Sequence, residues 1–146
     1  MIAGLPEGFH LAFKSYGSEE GYKEHLDQIT DVERAYVDLF RNERRRRASA
    51  AARAACRSLL LNLGHDDWQV VPDEYGAPHF VTVPRGEPVR CANISLTHGH
   101  GLAAALLSEK GGSLAVGLDL EAPRPSILKT LDDFYTEEER QQIRAR

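Results

Sequence analysis

The sequence has two cysteines only, Cys56 and Cys91, which fall in apolar segments far apart and without CxxC spacing. A disulfide scaffold is excluded, and a reduced, cytoplasmic protein is the expectation. No apolar run approaches the roughly 20 residues needed to cross a bilayer, and residues 1–6 have neither the basic start nor the apolar stretch of a signal peptide. No membrane association is expected. Nor is there a surplus of positive charge: 18 Lys and Arg stand against 22 Asp and Glu, a formal net charge of -4. Any pull toward nucleic acid or anionic lipid must therefore be local. What remains is a chain of 146 residues, 42% hydrophobic and 27% charged. That is enough for one domain to bury roughly two thirds of the surface its unfolded chain exposes, with no need of a disulfide or structural metal.

The order of local signals predicts an α+β fold, a helical layer against an antiparallel sheet. Thr30-Asp-Val-Glu33 is a capping box, in which a hydroxyl and a carboxylate each satisfy a free backbone N–H at a helix start. Residues 44–62 are nearly all good helix formers, and Gly64 stands where a left-handed C-terminal cap belongs. Two abutting helices or one long bent helix are expected. Beyond Gly64, short apolar runs at 68–71, 80–83, 89–96, 102–107 and 114–120 are punctuated by Gly and Pro turns, which reads as a meander. Thr136-Glu-Glu-Glu139 is a second capping box, opening a short helix whose single aliphatic residue, Ile143, can bury little. The chain is expected to stop in the middle of a structural unit.

Three groups of residues can carry chemistry. In Val116-Gly-Leu-Asp-Leu-Glu121, an extended backbone puts Gly117, Asp119 and Glu121 on one face. The two carboxylates then stand about 6.6 Å apart along the strand, within reach of one hard cation such as Mg²⁺ completed by substrate phosphates. The same pattern also suits the solvated face of an edge strand. In Ser95-Leu-Thr-His-Gly-His-Gly101, His98 at a turn can donate to a phosphate oxygen where glycines let backbone approach. A turn histidine without a partner, or a His-x-His metal pair, fits the same residues. Third is the series Arg41, Arg44, Arg45, Arg46, Arg47, Arg53 and Arg57, of which Arg46, Arg53 and Arg57 share a helical stripe. It reads as a polyphosphate site, a solvated face or a nucleic-acid footprint. The pI of 5.9 and the lack of interleaved aromatics weigh against nucleic acid.

Taken in order, these segments resemble the 4'-phosphopantetheinyl transferases of the longer, Sfp type. The resemblance runs from about Ile29 to Arg146. It rests on Thr30-Asp-Val-Glu-Arg34, on Ala52-Arg-Ala-Ala-Cys-Arg57, on Asp73-Glu-Tyr-Gly-Ala-Pro78 and on Asn93-Ile-Ser-Leu-Thr-His98. Gly117-Leu-Asp-Leu-Glu121 and Phe134-Tyr-Thr-Glu-Glu-Glu139 complete it. It implies transfer of 4'-phosphopantetheine from coenzyme A to a serine of an apo acyl or peptidyl carrier protein. Asp119 and Glu121 would hold Mg²⁺ and, with His98, form the catalytic group. Thr97 and His98 would contact the phosphates of coenzyme A, and Gly76 and Pro78 would lie at its adenine side. Residues 1–115 would form a first transferase-like half, and 116–146 the opening strand and helix of a second.

The chain departs from the family pattern in three places. Ala77 stands where a Lys is usual, and Ala48 where an Arg is usual, so Arg47 or Arg53 must serve. The Trp-x-x-Lys-Glu-x-x-x-Lys helix of the second half is not in the sequence. The expectations that follow are a truncated transferase active in its intact form, a transferase completed by a complementing chain, or a degenerate, catalytically incomplete module that binds coenzyme A or a carrier protein. An exposed apolar seam where a second half would dock predicts self-association.

Overall fold

In the computed structural model, the residues described are 4–111, 115–122 and 135–144. Their order is β1 (Phe9–Ser15), α1 (Glu19–Gln28), α2 (Asp31–Asp38), α3 (Glu43–Asn62), β2 (Trp68–Pro72), β3 (Pro78–Thr82), β4 (Asn93–Gly99), β5 (Leu102–Ser108) and α4 (Glu137–Arg144). The fold is α+β, with antiparallel sheets and a helical layer. The 30–62 region resolves as two abutting helices. The capping box at the start of α2 is present with both bonds made, and Gly64 takes φ 79 just past α3.

β1 and α1 precede every element expected from the sequence. β1 supplies an outer strand through pairing with β5, from Phe9 opposite Ser108 to Ser15 opposite Leu102. α1 starts at Ser18, whose hydroxyl accepts from the Gly21 N–H at 3.0 Å. The single expected meander is instead a three-stranded sheet, ordered β1-β5-β4, and a separate β2-β3 hairpin. Between them lie Pro84, Gly86 and Pro88, and the described pairing there is one bridge, Val81 to Pro88. Prolines donate no N–H to a ladder, so the pairing does not propagate. Residues 115–122, expected as part of a strand, are irregular. Cys56 is buried, whereas Cys91 is exposed rather than inside an apolar segment.

α3 is the centre of the molecule. Its middle is rich in alanine, and Ala50, Ala51, Ala54 and Ala55 are fully buried. Side chains that short let other elements approach this middle stretch from several directions. One face meets the sheet, where Cys56, Leu59 and Leu60 pack with Phe80, Ile94, Ala105 and Leu107. Another meets α1 and α2 through Ala50, Ala54, Ile29 and Val37. Leu60 and Leu107 have no exposed surface, and truncating either to Ala would cost about 2–5 kcal/mol.

Polar buried groups join the helical layer to the hairpin. Glu33 is 1% exposed; one carboxylate oxygen accepts the Thr30 N–H and the other the Val70 N–H, each at 2.9 Å. Thr30 in turn donates its hydroxyl to Gln69 Oε1 at 2.8 Å. A local capping box is thereby extended into a tie between α2 and β2. This fixes the gap between α2 and the hairpin in which the candidate site lies.

Candidate functional site

β4 ends in a two-residue turn, His100 and Gly101, both with positive φ (52° and 82°). This is the turn geometry whose twist matches that of paired antiparallel strands. It sets Gly99 opposite Leu102 and so fixes every side chain of β4. By alternation, Ile94, Leu96 and His98 face α3, while Ser95, Thr97 and Gly99 face the opposite side.

His98 stands at the junction of two neighbouring clefts. The first, of about 310 Å³, includes Arg45, Ser49 and Arg53 from α3, Tyr36 from α2, Gly76 and Pro78 from the hairpin, and Leu96 and His98 from β4. The hairpin side is held in place by Asp73, whose Oδ1 accepts from the Tyr75 and Ala77 N–H groups, both at 2.8 Å, while Gly76 takes φ 85. The second cleft, of about 480 Å³, shares Arg45 and His98 and adds Arg44, Ala48, Tyr16 and Gly99. Among the described residues, no carboxylate lines either cleft. The pair of clefts is a cationic groove in a chain whose net charge is negative.

Arg53 is the deepest of these cations, at 6% exposed. Its Nη1 donates to Ser49 Oγ at 2.8 Å, and its guanidinium lies 4.3 Å from the centroid of the Tyr36 ring. Its Nε is buried without a hydrogen-bond partner among the described residues. Burial holds its pKa below the ordinary guanidinium value, against opposing contributions from Tyr36 and Glu33. Such a cation is poised for an anion. Arg45 sits 4.6 Å over the Phe40 ring, and Phe40 meets Tyr36 edge-on at 5.3 Å. Two guanidinia are thus spaced by an aromatic pair. The His98 ring is edge-on to Tyr16, with centroids 6.2 Å apart. Its pKa is held below the usual imidazole value, first by desolvation and then by repulsion from Arg45 and Arg44.

The structure therefore brings His98, Arg53, Gly76 and Pro78 to one cleft and separates the other candidates from it. Arg47 lines a different depression, where it donates to the Gly17 carbonyl and pairs with Glu19 and Glu43. Its charge is already balanced, and a phosphate would have to displace a carboxylate. The Arg46–Arg53–Arg57 stripe does not act as one site. Arg46 donates to the Phe40 and Arg41 carbonyls beyond α2, and Arg57 to those of Trp68 and Asp66. Both complete backbone hydrogen bonding that helix ends and turns leave open. Arg45 was not singled out from the arginine run by sequence. It lies one turn before Ala48, on the same helical face, and that spacing was the available signal.

Thr97 faces away from the cleft, toward the side that carries the 115–122 segment. There Leu118 N–H donates to Ser95 Oγ at 3.1 Å, and a Cβ on Gly99 would stand 3.0 Å from the Leu120 carbonyl oxygen. Asp119 and Glu121 are both exposed, and one oxygen of Asp119 accepts the Leu120 N–H at 2.9 Å. No group of three or more His, Cys, Asp or Glu able to hold a metal occurs among the described residues. Asp119 and Glu121 are hard oxygen donors of the type that Mg²⁺ takes, but the segment is irregular, so the strand alternation that would set both on one face is not present. The capping box of α4 is made, with Glu139 accepting from Thr136 N–H at 2.8 Å. Phe134, which precedes it in the motif, lies outside the described residues.

No protein-family model matches the sequence, and no curated protein does. Among solved structures, an apo-ACPS from Chronobacterium ammoniagenes is 15% identical, with 68% of this chain and 94% of that one covered and a TM-score of 0.43. The ACPS-CoA complex from the same organism is 16% identical, covering 69% and 96%, also at 0.43. A holo-ACP-synthase from Plasmodium yoelii is 15% identical, covering 68% and 91%, again at 0.43. No described helix is long and apolar enough to cross a membrane.

Proposed function

We propose that this chain binds coenzyme A in the cationic groove and contributes the nucleotide-binding half of a Mg²⁺-dependent 4'-phosphopantetheinyl transferase of the Sfp type. The observation that carries the reading is the convergence on one cleft of Arg53, His98, Gly76 and Pro78 from three segments, with no lining carboxylate among the described residues. These are residues that the family resemblance assigns to coenzyme A. Residues 1–115 form the first half in this reading, and 116–146 begin the second.

In the reaction, a serine Oγ of the apo carrier protein attacks the phosphorus that bears the pantetheine arm. The bond from that phosphorus to the bridging oxygen breaks, and adenosine 3',5'-bisphosphate leaves with the electron pair. Arg53, Arg45 and His98 hold the phosphates of the nucleotide, placing the pyrophosphate toward the rim and offsetting the charge that grows on the leaving group. Gly76 and Pro78 border the base. Asp119 and Glu121 would hold Mg²⁺, which supplies charge neutralisation on the pyrophosphate. The serine proton passes to a carboxylate or to water.

Intact-mass analysis of an apo carrier protein incubated with coenzyme A, Mg²⁺ and this chain tests the reading, with Asp119→Ala alongside. A phosphopantetheine-sized gain that the variant abolishes supports transfer. Coenzyme A binding without a mass gain leaves the binding half of the proposal and removes catalysis by this chain alone. Absence of both sinks it.

A further inference from the structure

We infer that filling the groove with a phosphate ester draws a proton onto His98, so that the affinity of the site rises as the pH falls. This rests on the reading of the groove as a coenzyme A site and adds to it a proton that enters with the ligand.

The geometry is that of a neutral imidazole placed among fixed cations. Arg44 and Arg45 face the ring from the first turn of α3, and Arg53 lies deeper along the same helix. Tyr16 meets it from the β1–α1 connection, and Tyr36 borders the cleft from α2. Glu43 turns away to Arg47, and Asp119 and Glu121 belong to the segment on the other face of β4. No described carboxylate thus shares the groove with His98 to stabilise an imidazolium. In the free protein its pKa is lowered first by desolvation and then by repulsion from Arg45 and Arg44. A phosphate dianion reverses the local sign. It offsets the repulsion from Arg44 and Arg45 and offers the ring N–H a charged acceptor.

The sign follows from linkage. Free His98 is deprotonated near neutral pH, and the bound form holds its proton to higher pH. Between the two values, binding takes up a proton, and Kd increases by up to about tenfold per pH unit as the pH rises. The phosphate monoester works in the opposite direction. Its second ionisation lies at about 6, and nearby arginines favour the dianion, so any contribution from the ligand is a proton released.

The test is calorimetric titration of the full chain with coenzyme A near neutral pH, in two buffers of different ionisation enthalpy, for wild type and His98→Gln. The expected result is that wild type takes up more protons on binding than His98→Gln, the difference being the share of His98 after the ligand's own release. His98 ring signals in the NMR spectrum of wild type, followed through pH with and without coenzyme A, give a second readout that needs no variant. The midpoint should move upward on binding. No difference in proton uptake between wild type and His98→Gln, or an unmoved midpoint, overturns the inference and leaves the coenzyme A reading intact. No binding at any pH overturns both.

Discussion

The proposed site gives Arg53 a role in binding and a cost in folding that one substitution separates. The guanidinium is 6% exposed, stacked on Tyr36 and bonded to Ser49, and among the described residues its Nε has no partner and no carboxylate pairs with it. Taking an ion out of water has an effective penalty of several kcal/mol in real proteins. Against it stand a desolvated cation–π contact of about 2 kcal/mol and a charged hydrogen bond of about 1.5–3 kcal/mol. The opposing contributions nearly cancel, with a modest excess of cost. Arg53→Met keeps most of the volume over the Tyr36 ring and removes the charge. It should leave the free protein as stable as wild type or more so, by on the order of 1 kcal/mol, which is roughly 3 °C in Tm for a domain of this size. Binding should move the other way. Losing the charged bonds to an anion costs about 1.5–3 kcal/mol, a weakening of coenzyme A affinity of roughly tenfold to a hundredfold. Thermal unfolding without ligand and calorimetric titration with coenzyme A measure the two quantities on the same samples. A fall in Tm of several degrees would make Arg53 a structural cation and refute the reasoning. Unchanged affinity would remove it from the site.

Three other substitutions test the frame around the groove. Glu33→Gln replaces one acceptor oxygen with an amide N–H that must face a backbone N–H of Thr30 or Val70; urea unfolding should show a loss of about 1–3 kcal/mol. Gly99→Ala places a methyl group 3.0 Å from the Leu120 carbonyl, so the Mg²⁺-dependent part of coenzyme A binding should weaken while Tm moves little. Equal loss with and without Mg²⁺ would sever that segment from metal binding. His25 is buried at 6% exposed, and its pKa is lowered first by burial and then by Lys14, with Glu24 opposing. The unfolded chain therefore takes up a proton that the folded chain resists, and the stability this histidine confers is present above pH 6.5 and lost below it. His25→Phe should flatten that acid limb, where the slope attributable to one histidine is at most about 1.4 kcal/mol per pH unit.

How much was legible from sequence depended on how local each cause is. The capping boxes at Thr30 and Thr136 and the glycine after α3 are made within a few residues, and the structure contains all three. β1 was not legible because its partner, β5, lies about ninety residues further on, and its own burial is only partial. The separation of β2–β3 from the main sheet depended on prolines interrupting a ladder, which apolar runs do not reveal. Composition also concealed the division of labour among the arginines. Arg46, Arg47 and Arg57 are held by carbonyls and carboxylates from other elements, leaving Arg44, Arg45 and Arg53 to the groove. Whether a guanidinium is satisfied by its own fold is a tertiary fact.

β4 gives the proposed site its logic. A strand presents neighbouring residues to opposite faces, so Thr97 and His98, adjacent in the Ser-Leu-Thr-His motif, cannot point into the same cleft. His98 faces the arginines, while Thr97 lies on the face where Ser95 and Gly99 anchor the segment carrying Asp119 and Glu121. A shift in register of one residue would exchange those faces. The turn at His100 and Gly101 prevents it, since positive φ at both positions locks Gly99 opposite Leu102. Under the proposed function, a pyrophosphate at this end of β4 has the guanidinia on one side and the segment of Asp119 and Glu121 on the other. At Gly99 the two sides come close together, since the Leu120 carbonyl packs where a side chain would stand, and any larger residue there would push the segment of Asp119 and Glu121 away from the strand.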